Sequence, residues 1–509
     1  MHPMSLAVVA VAGAAFSLLA PATVASAAGQ PPPAGSPAAA PAAAPAAAAG
    51  DSLPLSLADA VERALRLGDE VRQAEAQLDA TEAQVTSARA AGLPQLRLQA
   101  GYTHILANAR ASIVGNIFLQ NYNYTGSAQF SQSVFQGGRV IAGVQAAGRA
   151  RAASRFEVEE ARAQLTVDVQ RAYLGALAAE QLVAIQERNL RLSAERVAQL
   201  EQLERGGRAA RYDVLRSRVE RANLEPLLIQ ARNDRDLAAL ELRRLLNLPL
   251  GVPLRLTTDV PADSTAVLAV LGGADAVGAA EGALQVAETP EARTRARRAE
   301  RPALRAAEAT AEARVAGVRI ARADFLPTVN VFFNTGVLAL PTANQFPSRR
   351  GETSNALCPA GSPATRTCQN NGFFADRSVG LQFSWPLFDG LRAKGNLDFA
   401  QAQARVAELQ LQQTRERVAV EVAGARAGLA RARALWQTGR QNVQEAEEAF
   451  RLATLRFQRG LGTQLEVSDA QLALLTAQTN TLRATYDVYL AAAEQARALG
   501  RPIPLAGER

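Results

Sequence analysis

The amino-acid sequence predicts a mixed α and β membrane protein built from two tandem repeats, each giving a strand hairpin to a barrel shared between protomers and a long helical hairpin to a coiled-coil wall. Three observations carry this expectation: landmarks that recur at a constant shift, alternating segments long enough to cross a bilayer, and unbroken helix-forming stretches too long for an ordinary domain.

The chain opens on an apolar stretch from Leu6 to Ala20, followed by the small-x-small run Ala25-Ser26-Ala27. This reads as a secretory signal peptide over residues 1–27, since the run falls short of the ~20 apolar residues a membrane-spanning helix needs. Residues 28–50 are almost wholly Ala, Pro and Gly, a composition unable to bury a core, and are read as a linker. No cysteine opens the mature chain, so no lipid anchor is expected. Beyond the linker, the nearest thing to an apolar helix, Val267 to Ala283, is interrupted by glycines, Asp275 and Glu281. Any membrane crossing therefore falls to strands.

The net charge of +7 comes almost entirely from arginines scattered among Glu and Asp, with Lys394 the sole lysine. That spacing suits solvated helix faces, not a phosphate-binding patch, and no nucleic-acid partner is expected. Once the signal peptide is removed, His104 is the only histidine, so zinc motifs of the HExxH kind and Ser/His or Cys/His nucleophile pairs lack parts. Lys394 lies between Ala393 and Gly395, which excludes a Gly-Lys-Ser/Thr phosphate loop. No enzyme, cofactor or metal site is expected.

Internal repetition sets the plan. Leu93-Pro94 recurs as Leu326-Pro327, each time closing a helical stretch and opening an alternating one. Phe135-Gln136-Gly137-Gly138-Arg139 matches Phe388-Asp389-Gly390-Leu391-Arg392 at an offset of 253 residues, and Gly207 and Tyr212-Asp213-Val214 match Gly460 and Leu465-Glu466-Val467 at the same offset. The Leu-Pro pairs are offset by 233, so the second copy holds 20 extra residues in one loop. Repeat 1 is placed at 51–258 and repeat 2 at 301–500, with 259–300 as a linker or equatorial segment and 501–509 as a tail.

Between these landmarks both copies alternate. Leu96, Leu98, Ala100 and Tyr102 interleave with Arg97, Gln99, Gly101 and Thr103, and the return run sets Tyr122, Tyr124, Ala128, Phe130 and Val134 against Asn123, Thr125, Ser127, Gln129, Ser131 and Ser133. Copy two repeats this with Val329, Val331 and Phe333, then Val379, Leu381, Phe383, Trp385 and Leu387. Runs of about 10 residues with an apolar and a nearly uncharged polar face suit a tilted strand between lipid and a wet lumen. The strand hairpins are expected at about 95–135 and 328–388. Four such strands cannot close alone, because an open sheet edge is not tolerated in hydrocarbon, so protomers must share a barrel. Two copies would give eight strands and three would give twelve, a choice that strand physics leaves open.

A looped insert, 341–376, interrupts the second hairpin and holds Cys358 and Cys368, which are expected to form a disulfide in an oxidising compartment and to stabilise the loop by about 3 kcal/mol.

From about Val140 to Arg205 and from Ala393 to Arg459 helix formers run without proline. The second stretch carries a heptad, Leu429, Trp436, Val443, Phe450 and Phe457, with Ala432, Gly439, Ala446 and Ala453 three places on, a large-on-small pattern that predicts a left-handed coiled coil. Copy one keeps the register at Val183, Leu190 and Val197 and loses it at Glu204. Each stretch ends at glycines, Gly206-Gly207 or Gly460-Leu461-Gly462, where the backbone can reverse into a returning helix. The helical hairpins are expected at 140–247 and 393–499.

Taken in order, these landmarks make the chain resemble the TolC family of outer-membrane efflux proteins over residues 51–500. The resemblance implies a homotrimer in the outer membrane of a Gram-negative bacterium, with twelve strands in its barrel and a helical tunnel in the periplasm. It further implies docking to a periplasmic adaptor and an inner-membrane pump, as the exit duct of a tripartite efflux or type I secretion system. Acidic residues six and nine places after the second tip glycine narrow the periplasmic mouth in that family; Glu466 and Asp469 stand there, while copy one has Asp213 and then Arg216. Threefold rings of like charge would favour cations, although carboxylates in a first helical turn also complement the helix dipole. The tips, with Arg205, Gly207, Arg208, Arg459, Gly460 and Gly462, resemble the segments that meet the adaptor. Gly462 occupies the place of an arginine that latches the mouth in other members. A periplasmic adaptor also has helical hairpins, but would lack lipid-facing strands and be tethered at its amino end; a coiled-coil scaffold would need no signal peptide.

Overall fold

Each repeat runs helix, strand, strand, long helix and returning helix because the same punctuation occurs twice. The computed structural model describes residues 53–106, 122–258, 267, 269–273, 301–339 and 373–504, all within one unit spanning Asp51–Arg509. The expected signal peptide, linker and Cys358–Cys368 disulfide lie outside the described residues. In chain order the elements are β1 (Leu53–Leu55), α1 (Leu57–Leu67), α2 (Asp69–Ala90), β2 (Gln95–His104), β3 (Tyr122–Gln136), α3 (Arg139–Arg205), α4 (Arg211–Leu245) and β4 (Leu254–Leu256). They continue with α5 (Pro302–Arg322), β5 (Thr328–Ala339), β6 (Phe373–Ser384), α6 (Arg392–Gln458) and α7 (Gln464–Ala498). The long helices α3 and α6 each have 67 residues and start 253 apart, and α4 and α7 each have 35. At 1.5 Å per residue each long helix reaches about 100 Å.

The strands form one antiparallel sheet in the order β2-β3-β5-β6, which leaves β2 and β6 as edges. The helices above repeat that order, with α2 on α3, α3 on α5 and α5 on α6. Register aligns Leu96, Phe130, Phe333 and Val379 in one row and Arg97, Gln129, Asn334 and Ser378 in the next. Since successive side chains point to opposite faces, one face is apolar and the other polar. All four members of the apolar row are exposed, so this face has no partner within the protomer. Phe332, on the polar face, lies over Gly380, where a Cβ would sit 2.5 Å from its ring.

Two details differ from the alternation read in the sequence. β3 has a bulge between Ser133 and Phe135, so that Phe135 stands opposite Val329 and the strand gains a residue where Val134 was expected to end the pattern. Bulges of this kind bend and twist strands at barrel rims. β6 begins at Phe373, inside the span assigned to the insert, because β5 continues to Ala339 and gives it a partner that far out.

The junction from strand to helix depends on Gly137, at φ +60°, where a Cβ would fall 2.8 Å from Leu326 Cβ and 3.0 Å from the Ala323 carbonyl oxygen. At Gly138, φ +81°, the space is open. Gly137→Ala is expected to cost about 2 kcal/mol through strain plus clash, and Gly138→Ala less, read as a larger fall in thermal unfolding midpoint for the first.

Midway down the helices sits the core. β1 pairs in parallel with β4, and Thr258 beyond β4 accepts a hydrogen bond from the Leu57 amide at 2.7 Å, while Tyr173 donates its hydroxyl to the Leu55 carbonyl at 2.8 Å. Leu57, Leu242, Leu246, Trp436 and Val488 are buried there together with Val267 and Leu271, two of the described residues of segment 259–300. Each fully buried leucine contributes about 2 kcal/mol. The heptad read on α6 places Leu429, Ala432, Trp436 and Ala446 in buried positions, and Gly439 allows α7 to approach so closely that a Cβ would lie 2.8 Å from Thr481 Oγ1.

A charged cluster joins four helices nearer the membrane end. Arg301, only 8% exposed, donates to Glu160 at 2.8 Å and pairs with Glu421; Arg497 reaches Glu160 at 3.3 Å and Glu421 at 3.7 Å. Burial works against the charge on Arg301, but hydrogen bonds to Glu160 and Glu421 outweigh it and its pKa is raised.

Candidate functional site

The far ends of the helical hairpins are closed by matching turns. After α3, the amides of Gly206, Gly207 and Arg208 donate to the carbonyls of Gln202, Glu204 and Leu203 at 3.2, 2.9 and 2.8 Å. After α6, Arg459, Gly460 and Leu461 do the same toward Leu455, Phe457 and Arg456 at 3.2, 3.0 and 2.9 Å. Both turns need a left-handed residue, supplied by Gly207 at φ +71° and Gly460 at φ +72°. Arg205, Arg208 and Arg459 flank them and are exposed.

The second tip is the better tied. Thr463 caps α7, accepting from the Glu466 amide at 3.3 Å, while Glu466 accepts from the Thr463 amide at 3.5 Å and pairs with Arg456 at 3.7 Å. Gly462 is pressed between these groups, with a Cβ site 3.1 Å from Arg456 Cβ and 3.2 Å from Glu466 Oε2. In the first tip Ala210 replaces Thr463 and offers no side-chain cap, leaving Asp213 half-exposed in the first turn of α4. Asp469 is exposed, on the surface of α7. The spacing Thr463-x-x-Glu466 is itself a capping-box signature in the sequence.

Sequence reading missed a second set of residues about one to three turns above the tips, where the repeats touch. Ser468 on α7 donates to Glu220 on α4 at 2.7 Å, and Arg216 holds the other oxygen of Glu220 at 3.0 Å. Arg196 of α3 lies over the Phe450 ring of α6, 5.8 Å from its centroid. Burial lowers the Arg196 pKa, with Glu220 acting in the opposite direction. Ser468 and Glu220 are separated by 248 residues in the chain, so no local pattern announces them.

Among the described residues no helix is long and apolar enough to cross a membrane, and no group of three or more His, Cys, Asp and Glu side chains could hold a metal. The apolar row of the sheet, Leu96, Phe130, Phe333 and Val379, is exposed. A family model described as outer membrane efflux protein matches residues 60–248 and 295–501, one segment per repeat. The chain belongs to the outer membrane efflux protein family. No curated protein matches the sequence.

Solved structures share the fold across nearly the whole chain. A membrane protein from Pseudomonas aeruginosa is 21% identical with a TM-score of 0.69, covering 88% of this chain and 90% of its own. The outer membrane protein VceC from Vibrio cholerae is 22% identical with a TM-score of 0.66, covering 87% of this chain and 96% of its own. The open state of the MtrE outer membrane channel from Neisseria gonorrhoeae is 19% identical with a TM-score of 0.65, covering 89% and 91%. The outer membrane efflux fold accounts for both open margins of the protomer: three copies of the four-stranded sheet close one barrel, and the helices continue it as a periplasmic tunnel. The protein is thus an efflux protein of a Gram-negative outer membrane.

Proposed function

We propose that the protein is the exit duct of a tripartite efflux or type I secretion assembly, passively passing substrates from an inner-membrane pump and a periplasmic adaptor to the exterior. The observation that carries this reading is the shared order of strands and helices. β2 lies below α2 and β6 below α6, so the same two sides of the protomer are open from the barrel through the upper tunnel. A ring that seals one seals the other, and the polar strand face then lines a continuous path. The glycine tips, farthest from the sheet, are the docking points for the adaptor: Arg205, Gly207 and Arg208 on one, Arg459, Gly460 and Gly462 on the other. Asp213, Glu466 and Asp469 narrow the mouth beside them.

Purified full-length protein reconstituted in planar bilayers tests this. Wild type is expected to be a heat-modifiable oligomer that opens cation-preferring channels. The double variant Glu466→Gln, Asp469→Asn keeps an amide able to cap α7 but removes two carboxylates per protomer, and should lower the cation preference several-fold. Unchanged selectivity would remove the constriction, and a soluble monomer without conductance would remove the duct.

A further inference from the structure

We propose that the junction between β6 and α6 anchors the barrel to anionic phospholipid: Trp385, Leu387, Phe388 and Leu391 enter the periplasmic leaflet, and Arg392 and Lys394 bind its headgroups. This rests on the family's place in the outer membrane and is independent of what the channel exports.

The apolar sheet face does not stop at the strand end. Alternation carries Phe383 and Trp385 onto it, and the Trp385 indole is oriented by a hydrogen bond to the Phe325 carbonyl at 3.2 Å. Beyond it Leu387 and Phe388 are each 83% exposed and Leu391 66%. β6 is an edge strand, and copy one shows how much a strand beside it covers. Val134 and Phe135, at the offset of 253, lie beyond the end of β2 but have β5 beside them, on the side that corresponds to a neighbouring protomer of β6, and still remain 64% and 45% exposed. A strand on that side leaves these positions open.

Leu391 supplies the independent observation. It is held at φ +68°, where copy one has Gly138 at φ +81°. A leucine in the left-handed region is strained, and this one gains little packing within the protomer in return. Burial in acyl chains gives the exposed side chain the compensation that the fold does not.

The charges match a lipid surface. Lys394, the sole lysine, is exposed and stands where copy one has exposed Ile141. Arg392 is exposed and meets Asp389 only at 3.8 Å, while Asp389 accepts a hydrogen bond from the Ala393 amide at 2.8 Å. A tryptophan, apolar side chains and two cations within ten residues of a strand end are the chemistry of an interface with anionic headgroups.

The chain has two tryptophans, and Trp436 is 1% exposed and about 65 Å along α6 from the junction, so bilayer quenchers report on Trp385. Full-length protein is reconstituted in phosphatidylcholine vesicles containing equal minor fractions of brominated phosphatidylglycerol or brominated phosphatidylcholine. Wild type should be quenched about twofold or more strongly by the anionic quencher. Arg392→Gln with Lys394→Gln should equalise the two, and Leu387→Ser with Phe388→Ser should weaken both. Trp385→Phe should abolish quenching; its survival would reassign the signal and overturn the anchor. Equal quenching of wild type by both lipids overturns the headgroup claim, and no quenching of inserted trimers overturns the insertion. Conductance of the same vesicles reports separately on the duct.

Discussion

Replacing Gly207 and Gly460 together with valine is expected to abolish export while leaving trimers in the outer membrane. Both glycines hold φ near +70°, a region a β-branched residue enters at a cost of roughly 1–3 kcal/mol each. Nothing lies within 4 Å of a Cβ built at either, so the penalty is conformational, with no steric clash. The turns relieve it by opening, which displaces Arg205, Arg208 and Arg459 and leaves the barrel and the mid-helix core untouched. Outer-membrane fractionation should show normal amounts of oligomer, and a substrate-accumulation assay should show loss of efflux. Unchanged export in this variant would remove the docking role of the tips.

The second large effect is expected at the charged cluster. Arg301→Met leaves Glu160 and Glu421 facing the single guanidinium of Arg497, in a site where Arg301 was almost fully enclosed. Removing one member of such a network strands its partners and costs about 3 kcal/mol or more. Heating should dissociate the variant oligomer at a clearly lower temperature than wild type. The double variant Arg301→Met, Glu421→Met removes one stranded carboxylate and should recover part of the loss, since contacting residues do not act additively. A double variant no better than the single would show that the two groups act separately.

Much of the fold was legible because it repeats. The offset of 253 between Phe135 and Phe388 is also the spacing between the starts of α3 and α6. Alternation around Leu96, Phe130, Phe333 and Val379 foretold a single apolar row, since a strand's side-chain period admits no other reading once pairing is in register. The illegible parts are contacts between distant stretches. Leu53–Leu55 finds Leu254–Leu256 across a whole repeat, Arg301 finds Glu160 and Glu421, and Glu220 finds Ser468. None has a period or a local motif, and each depends on helices having already been brought side by side. The role of Glu466 as half of a cap was written in Thr463-x-x-Glu466, whereas the proposed place in a pore would depend on neighbours outside one chain.

The equal lengths of α3 and α6 carry a consequence for how such a channel can change over time. Excising seven residues from α6 and its returning partner alone would lift one tip by about 10 Å relative to the other. A partner that grips both would then meet a stepped rim in place of a level one. Periplasmic reach can therefore lengthen or shorten only by paired edits, one in each half of the gene.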